Sequence, residues 1–149
     1  MKILVTGCLG FIGSHFVKYI LEKTDFNIIG FSRNTDQGNL ARIRDVLSNK
    51  RFRLIYGDLT GDLSGLCEDV DFIVNFAAKT FVDHSIRDPT PFIQSNIVGT
   101  YNLLEEIRRN KKTIKQLIHI SSDEVYGAIL EGSYKEDARP VSYTHLRAH

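Results

Sequence analysis

The sequence predicts an α/β domain, a parallel sheet wound with helices on both faces. Three observations carry that prediction. An apolar run, Ile3 to Val5, passes through Thr6-Gly7-Cys8-Leu9-Gly10-Phe11-Ile12-Gly13 into an amphipathic stretch. Four further short apolar runs follow, separated by segments of helical periodicity. One of them, Asp71-Phe72-Ile73-Val74-Asn75-Phe76, has the continuous apolar centre of a strand buried on both faces. Strands alternating with helices define a right-handed βαβ series. The sheet order expected for such a Rossmann-type, doubly wound fold is 3-2-1-4-5.

Length and composition bound the reading. The 149 residues allow one domain with a real core. A net charge of +1, with 25% charged residues, asks for neither nucleic acid nor an anionic membrane. Cys8 and Cys67 lack metal-ligand spacing and any redox-pair motif, so reduced cysteines and no metal site are expected. No signal-peptide pattern or membrane-length apolar stretch is evident, and a soluble, cytoplasmic protein is expected.

The glycine stretch organises the chain. Gly7 suits the sharp exit from a strand, Gly10 a close backbone approach to a ligand, and Gly13 close helix packing. The helix that follows aims its free N–H groups and positive dipole end at the same place, a seat for pyrophosphate. Ile12, Phe16, Val17, Ile20 and Leu21 are expected on its inner face. A phosphate loop of the Gly-Lys-Ser/Thr type is excluded, because Gly13-Ser14-His15 has no lysine. The spacing GxxGxxG resembles the extended branch of the short-chain dehydrogenase/reductase superfamily. That resemblance implies cofactor contacts at Gly7, Gly10, Phe11, Ile12 and Gly13.

Asn27 to Phe31 reads as the second strand. NAD-binding folds usually end it with an acid that accepts from the adenosine ribose, yet here Ser32-Arg33 follows. A hydroxyl and a guanidinium suit a 2′-phosphate. Alternatively Arg33 is simply solvated and Asp36 serves the ribose, so NAD and NADP both remain open. Leu40 to Ser48 reads as a short helix with Ile43 and Leu47 inward, and Phe52 to Tyr56 as the third strand. Gly57-Asp58-Leu59 closes that strand, and the family resemblance places Asp58 and Leu59 against the adenine. Asp62 to Cys67 is expected to add one or two helical turns before the fourth strand.

Small residues follow that strand in Phe76-Ala77-Ala78-Lys79-Thr80-Phe81-Val82-Asp83-His84-Ser85. The segment resembles the loop that nucleotide-sugar dehydratases lay between nicotinamide and sugar. This implies cofactor contacts at Phe76, Ala77 and Ala78, and substrate contacts at Lys79 and Ser85. Asn75 and Lys79 stand where a histidine and a glutamate are common. His84 is expected to be a surface or structural residue. A long helix then opens at Asp88-Pro89-Thr90-Pro91, with Thr90 as cap, Pro91 at the first helical position, and Ile93, Ile97, Leu104 and Ile107 inward. Asn96 matches the family's mid-helix asparagine near the active site, and as a bare residue could equally be an ordinary polar position. Arg108, Arg109, Lys111 and Lys112 read as a solvated helix C-terminus favoured by the dipole.

Gln116 to Ile120 is the fifth strand, and it delivers Ser121-Ser122-Asp123-Glu124-Val125-Tyr126-Gly127 to the sheet edge where ligands bind in open α/β folds. The string resembles the active-site segment of nucleotide-diphosphate-sugar 4,6-dehydratases, above all the dTDP-glucose and CDP-glucose enzymes. The resemblance implies Asp123 as acid, Glu124 as base and Ser122 as the group orienting the C4 oxygen. A sugar-nucleotide 4-epimerase or decarboxylase is the close alternative, and a non-catalytic NADP-sensing protein the distant one. The Tyr-xxx-Lys pair of the family does not occur after Glu124; Tyr143-Thr144-His145-Leu146-Arg147 only imitates its spacing. Residues 141–149 are expected to be a translated sequencing-adapter tail, which leaves residues 1–140 as an incomplete NAD(P)-binding domain. The C-terminal sugar-nucleotide domain would then be absent, and weak cofactor binding without turnover is expected. A homodimer of the full-length protein, built partly on the helix from Pro91, follows from the resemblance.

Overall fold

A computed structural model describes residues 1–33, 37–127 and 132–139, without the side chains of residues 37, 38, 123 and 124. Asp36, Pro140 and the Tyr143–Arg147 segment therefore lie outside the described residues. Five strands, β1 (Lys2–Thr6), β2 (Asn27–Ser32), β3 (Phe52–Tyr56), β4 (Phe72–Asn75) and β5 (Gln116–His119), form one sheet in the order β3-β2-β1-β4-β5. Every pairing is parallel, and the register sets Thr6 beside both Phe31 and Asn75, Ser32 beside Tyr56, and Asn75 beside His119. All five strands thus release their chains at one edge.

The period of two along a strand divides the core. Ile3 and Val5 of β1 pack on one face with α1 (Phe11–Lys23), Ile28, Ile43 and Phe52. Leu4 packs on the other with Phe31, Leu59, Ile73 and Leu103 of α5 (Gly99–Arg109). Gly30 makes room on the first face: a Cβ there would lie 2.8 Å from the Cys8 sulfur and 2.9 Å from the Phe52 ring. Arg51 joins the layers, donating to the carbonyls of Leu21 (2.6 Å) and Thr24 where α1 ends. Those two carbonyls are among the acceptors a helix terminus leaves unmatched.

Several expectations are corrected. Ile12 is 62% exposed, because α1 turns Gly13, Ser14, Val17 and Leu21 inward. Leu47 is exposed, whereas Ile43 is fully buried; α2 (Gln37–Leu40) tightens into a 3-10 segment over Ala41–Val46. Asp62 to Cys67 makes successive turns rather than a helix. Leu66 and Glu68 bond back three residues, to Leu63 and Gly65, and Gly65 and Asp69 adopt positive φ of 78° and 55°. A short helix, α3 (Val82–Arg87), follows β4.

The long helix runs as α4 (Thr90–Phe92), a π-helical segment Ile93–Val98, and α5. Thr90 does not cap it; the Asp88 carboxylate accepts from the Thr90 N–H at 3.0 Å, and Pro89 is the boundary residue. The buried residues are Phe92, Gly99, Leu103 and Glu106; Ile107 packs against the core as expected, while Ile97 and Leu104 are exposed. Gly99 makes the closest approach of this face to Leu59. Its Cα edge sits where a Cβ would lie 3.0 Å from the Leu59 Cβ, so a glycine rather than an isoleucine meets the sheet layer. Asn102 fastens the same contact by donating to the Leu59 carbonyl at 2.9 Å.

Candidate functional site

The glycine turn is folded onto itself and onto the β4 exit. Gly7 has φ +67° and donates to the Phe31 carbonyl at 2.8 Å; Gly10 donates back to the Gly7 carbonyl at 2.9 Å. A Cβ at Gly7 would stand 2.8 Å from the Ala77 nitrogen, and one at Gly13 only 2.4 Å from the Gly7 oxygen. Gly10 is the N-cap of α1 and no side chain caps that end, which leaves first-turn N–H groups available to an anion.

Beside this turn lies an open cleft at the sheet edge. Ser32 and Arg33 enter it from β2, Gly57, Asp58 and Leu59 from β3, and Phe76, Ala77 and Ala78 from β4. Sequence reasoning missed Phe31, Asn39, Gly57 and Ser95, which complete the lining. Ser95 sits beside Asn96 in the π-helical segment, and Gly57 precedes the Asp58 turn; Asn39 carries no signal of its own. Asp58 is the one carboxylate among the described lining residues. Its Oδ1 accepts from the Thr60 N–H and hydroxyl, both at 2.9 Å, and its Oδ2 lies 3.7 Å from Arg33 Nη1. Burial works to raise its pKa, but the Thr60 hydrogen bonds, then Arg33 and Lys79, hold it below the ordinary carboxylate value.

Two side-chain amides brace the wall formed after β4. Asn75, 1% exposed, accepts through Oδ1 from the Thr6 hydroxyl and from the Ala77 N–H at 3.2 Å, and its Nδ2 lies 2.9 Å from His119 Nδ1. The Ala77 N–H can meet only an acceptor, which fixes the amide orientation. His119 Nδ1 is then the bare nitrogen of the ring. The chain Thr6–Asn75–His119 ties three adjacent strands at their C-terminal ends, and sequence reasoning did not identify it. Asn96 clamps the next stretch, accepting from the Lys79 N–H at 2.8 Å and donating to the Lys79 carbonyl at 2.9 Å. Its amide is thus occupied by the loop.

Other expected site residues are not brought into the cleft. Phe11 and Ile12 have side chains 70% and 62% exposed on the first turn of α1. Ser85 is buried, with its hydroxyl donated to the Val82 carbonyl at 2.7 Å. The Lys79 ammonium lies 5.9 Å above the Phe92 ring. His84 is exposed, as expected. Beyond β5, Ser122 is exposed, and Asp123 and Glu124 begin a 3-10 turn, Asp123–Tyr126, whose backbone leaves the same sheet edge. Among the described residues no cluster of side chains could hold a metal ion, and no helix is long and apolar enough to cross a membrane.

Residues 4–143 match the family described as GDP-mannose 4,6 dehydratase. The chain belongs to that family. Within the GDP-mannose 4,6 dehydratase family it is 39% identical to a dTDP-glucose 4,6-dehydratase of Escherichia coli, over 85% of this chain and 38% of the relative. It is 38% identical to a low-salt glycan biosynthesis protein of Haloferax volcanii, over 92% of this chain and 44% of the relative. Among solved structures it is similar to the dTDP-glucose 4,6-dehydratase DesIV of Streptomyces venezuelae, a structure with NAD bound: TM-score 0.87, 36% identity, 95% of this chain and 45% of that one. A UDP-glucuronic acid 4-epimerase from Bacillus cereus, also with NAD, superposes with TM-score 0.85 at 35% identity, over 95% of this chain and 46% of that one. The chain therefore spans less than half the length of these relatives.

Proposed function

We propose that this chain is the dinucleotide-binding half of a nucleotide-diphosphate-sugar 4,6-dehydratase. The observation that carries the reading is a convergence at one sheet edge. The glycine turn, the cleft between the β2, β3 and β4 exits, and the segment Ser121-Ser122-Asp123-Glu124 all leave the sheet there.

An NAD-type dinucleotide fits these residues. The side-chain-free turn at Gly7, Gly10 and Gly13 and the uncapped end of α1 would hold the pyrophosphate. Ser32, Arg33, Asp58 and Leu59 would hold the adenosine, and Phe76, Ala77 and Ala78 would flank the chain beyond it. When bound, the cofactor would take hydride from sugar C4 and return it to C6. In that reaction Ser122 would orient the C4 oxygen. Asp123 would protonate the C6 hydroxyl as it departs as water, and Glu124 would remove the C5 proton, each contributing about 10²–10⁴ in rate. Two adjacent carboxyls can divide this work when their environments separate their pKa values. Lys79 stays a candidate substrate contact, since it borders the cleft wall. The exposed row Ile97, Tyr101 and Leu104 on the long helix supports a homodimer, and the free thiols Cys8 and Cys67 support a cytoplasmic setting.

The experiment uses the protein translated from its full reading frame and dTDP-glucose deuterated at C4. The expected product has lost water and carries deuterium at C6. Asp123→Asn and Glu124→Gln each lower turnover by about 10²–10⁴-fold while dinucleotide binding is retained. A product inverted at C4 with its water retained would establish the 4-epimerase reading, which the likeness to the Bacillus cereus epimerase favours.

A further inference from the structure

We propose that His119 is a positioning residue for the dehydration: through a bare Nδ1 it holds the segment after β5 to the same asparagine that fixes the cleft wall after β4. The inference rests on the dehydratase reading above and deepens it, because it assigns the contact that keeps the two parts of that site in register.

Three bonds converge on Asn75 from opposite sides of the site. Its Oδ1 accepts from the Ala77 N–H at 3.2 Å, which sets Ala77 in the cleft wall. Its backbone carbonyl accepts from the Ile120 N–H at 3.0 Å, one residue past the end of β5. Its Nδ2 donates to His119 Nδ1 at 2.9 Å. The end of β5 is therefore fastened to Asn75 twice, by main chain and by side chain, and the 3-10 turn Asp123–Tyr126 begins four residues beyond His119. The Thr6 hydroxyl completes the row by donating to the same Oδ1, so a change at His119 reaches Ala77 through one shared amide.

The chemistry of this contact is specific to one ring nitrogen. With Oδ1 held by the Ala77 N–H, the amide turns its donor to the imidazole, and a proton on Nδ1 would set donor against donor. The ring that fits carries its proton on Nε2. Asn75 is 1% exposed, so an Nδ2 deprived of its acceptor has little water to turn to, and the amide loses the alignment that serves both neighbours. Misplacing a reacting group by about 1 Å costs roughly 10²-fold in rate, and a segment loosened at its root is expected to cost about tenfold.

The test uses the protein from its full reading frame with NAD⁺ and dTDP-glucose, as wild type and as His119→Leu, His119→Asn and His119→Gln. An asparagine Oδ1 stands where the histidine Nδ1 does, whereas a glutamine carries its amide where Nε2 does. His119→Leu and His119→Gln are expected to lower kcat about tenfold with KM for the sugar nucleotide changed by less than about threefold, and His119→Asn to restore most of the loss. A merely structural histidine would not separate the asparagine from the glutamine in kcat. In the wild type, nitrogen NMR should show a scalar coupling across the hydrogen bond from the Asn75 amide nitrogen to His119 Nδ1, a readout that depends on no variant folding. Absence of that coupling, an unchanged kcat in His119→Leu, or equal rescue by glutamine and asparagine would overturn the positioning role and leave the dehydratase reading standing. A wild type that binds NAD⁺ and does not dehydrate dTDP-glucose would overturn the dehydratase reading, and the positioning role with it.

Discussion

Replacing Asn75 with alanine strips one acceptor from two donors and one donor from an acceptor. The Thr6 hydroxyl, fully buried, and the Ala77 N–H both lose Oδ1; His119 Nδ1, on an exposed ring, recovers a partner from water. A buried donor left unmatched costs about 1–3 kcal/mol; the Thr6 hydroxyl is buried whereas the Ala77 N–H lies on the open cleft wall, so the loss expected is about 1–3 kcal/mol, less where water enters the space vacated. Urea denaturation should show a lower midpoint with unchanged slope. The cause can be separated from simple loss of packing by a double-mutant cycle. Thr6→Val removes the hydroxyl that Asn75→Ala would strand, so the two changes together should cost less than their sum by about 1 kcal/mol. Additivity within about 0.5 kcal/mol would refute the hydrogen-bond account. Because Ala77 forms part of the cleft wall, dinucleotide affinity should fall in Asn75→Ala even under conditions where the protein remains folded.

Three other outcomes are expected. Gly13→Ala gains helix propensity of about 0.5–1 kcal/mol but drives a Cβ to 2.4 Å from the Gly7 oxygen, an overlap costing about 1–3 kcal/mol or more; a neutral or stabilised variant in thermal unfolding would contradict the turn geometry. Arg51→Ala strands the Leu21 and Thr24 carbonyls and should destabilise by about 2 kcal/mol in urea, with Arg51→Lys recovering part of it; an unshifted midpoint would sink the capping role. Burial raises the Cys8 thiol to about 12, and burial, aided by Glu106, does the same for Cys67. A folded-state pKa above the unfolded value of about 8.5 makes this contribution complete below that pH and progressively lost as pH rises toward 12. Alkylation followed by mass spectrometry at neutral pH should therefore label both thiols only as the chain unfolds, and prompt labelling of the native protein would refute their burial.

Local pattern determined the sheet. Short apolar runs such as Ile3 to Val5 and Phe72 to Val74 can be strands because their residues bury both faces, and the glycine spacing at 7, 10 and 13 announces a turn that only side-chain-free residues fit. From those signals the strand order was legible, and with it Ser32 and Arg33 at the end of β2; Asp58, Leu59, Ala77 and Ala78 were expected through the family resemblance, and they too line the cleft. What pattern could not reach was decided by contacts between distant residues. The long helix carries neighbouring apolar stripes, and periodicity placed Ile97 and Leu104 inward; the fold instead buries Phe92, Gly99 and Leu103, with Gly99 in close approach to Leu59. The family resemblance marked Asn96 as near the active site, but the bracing work of Asn75 and Asn96 emerges only when Thr6, Ala77, His119 and Lys79 are brought against them. A hydrogen bond between residues dozens of positions apart has no periodicity, so only the tertiary structure could assign these side chains their work.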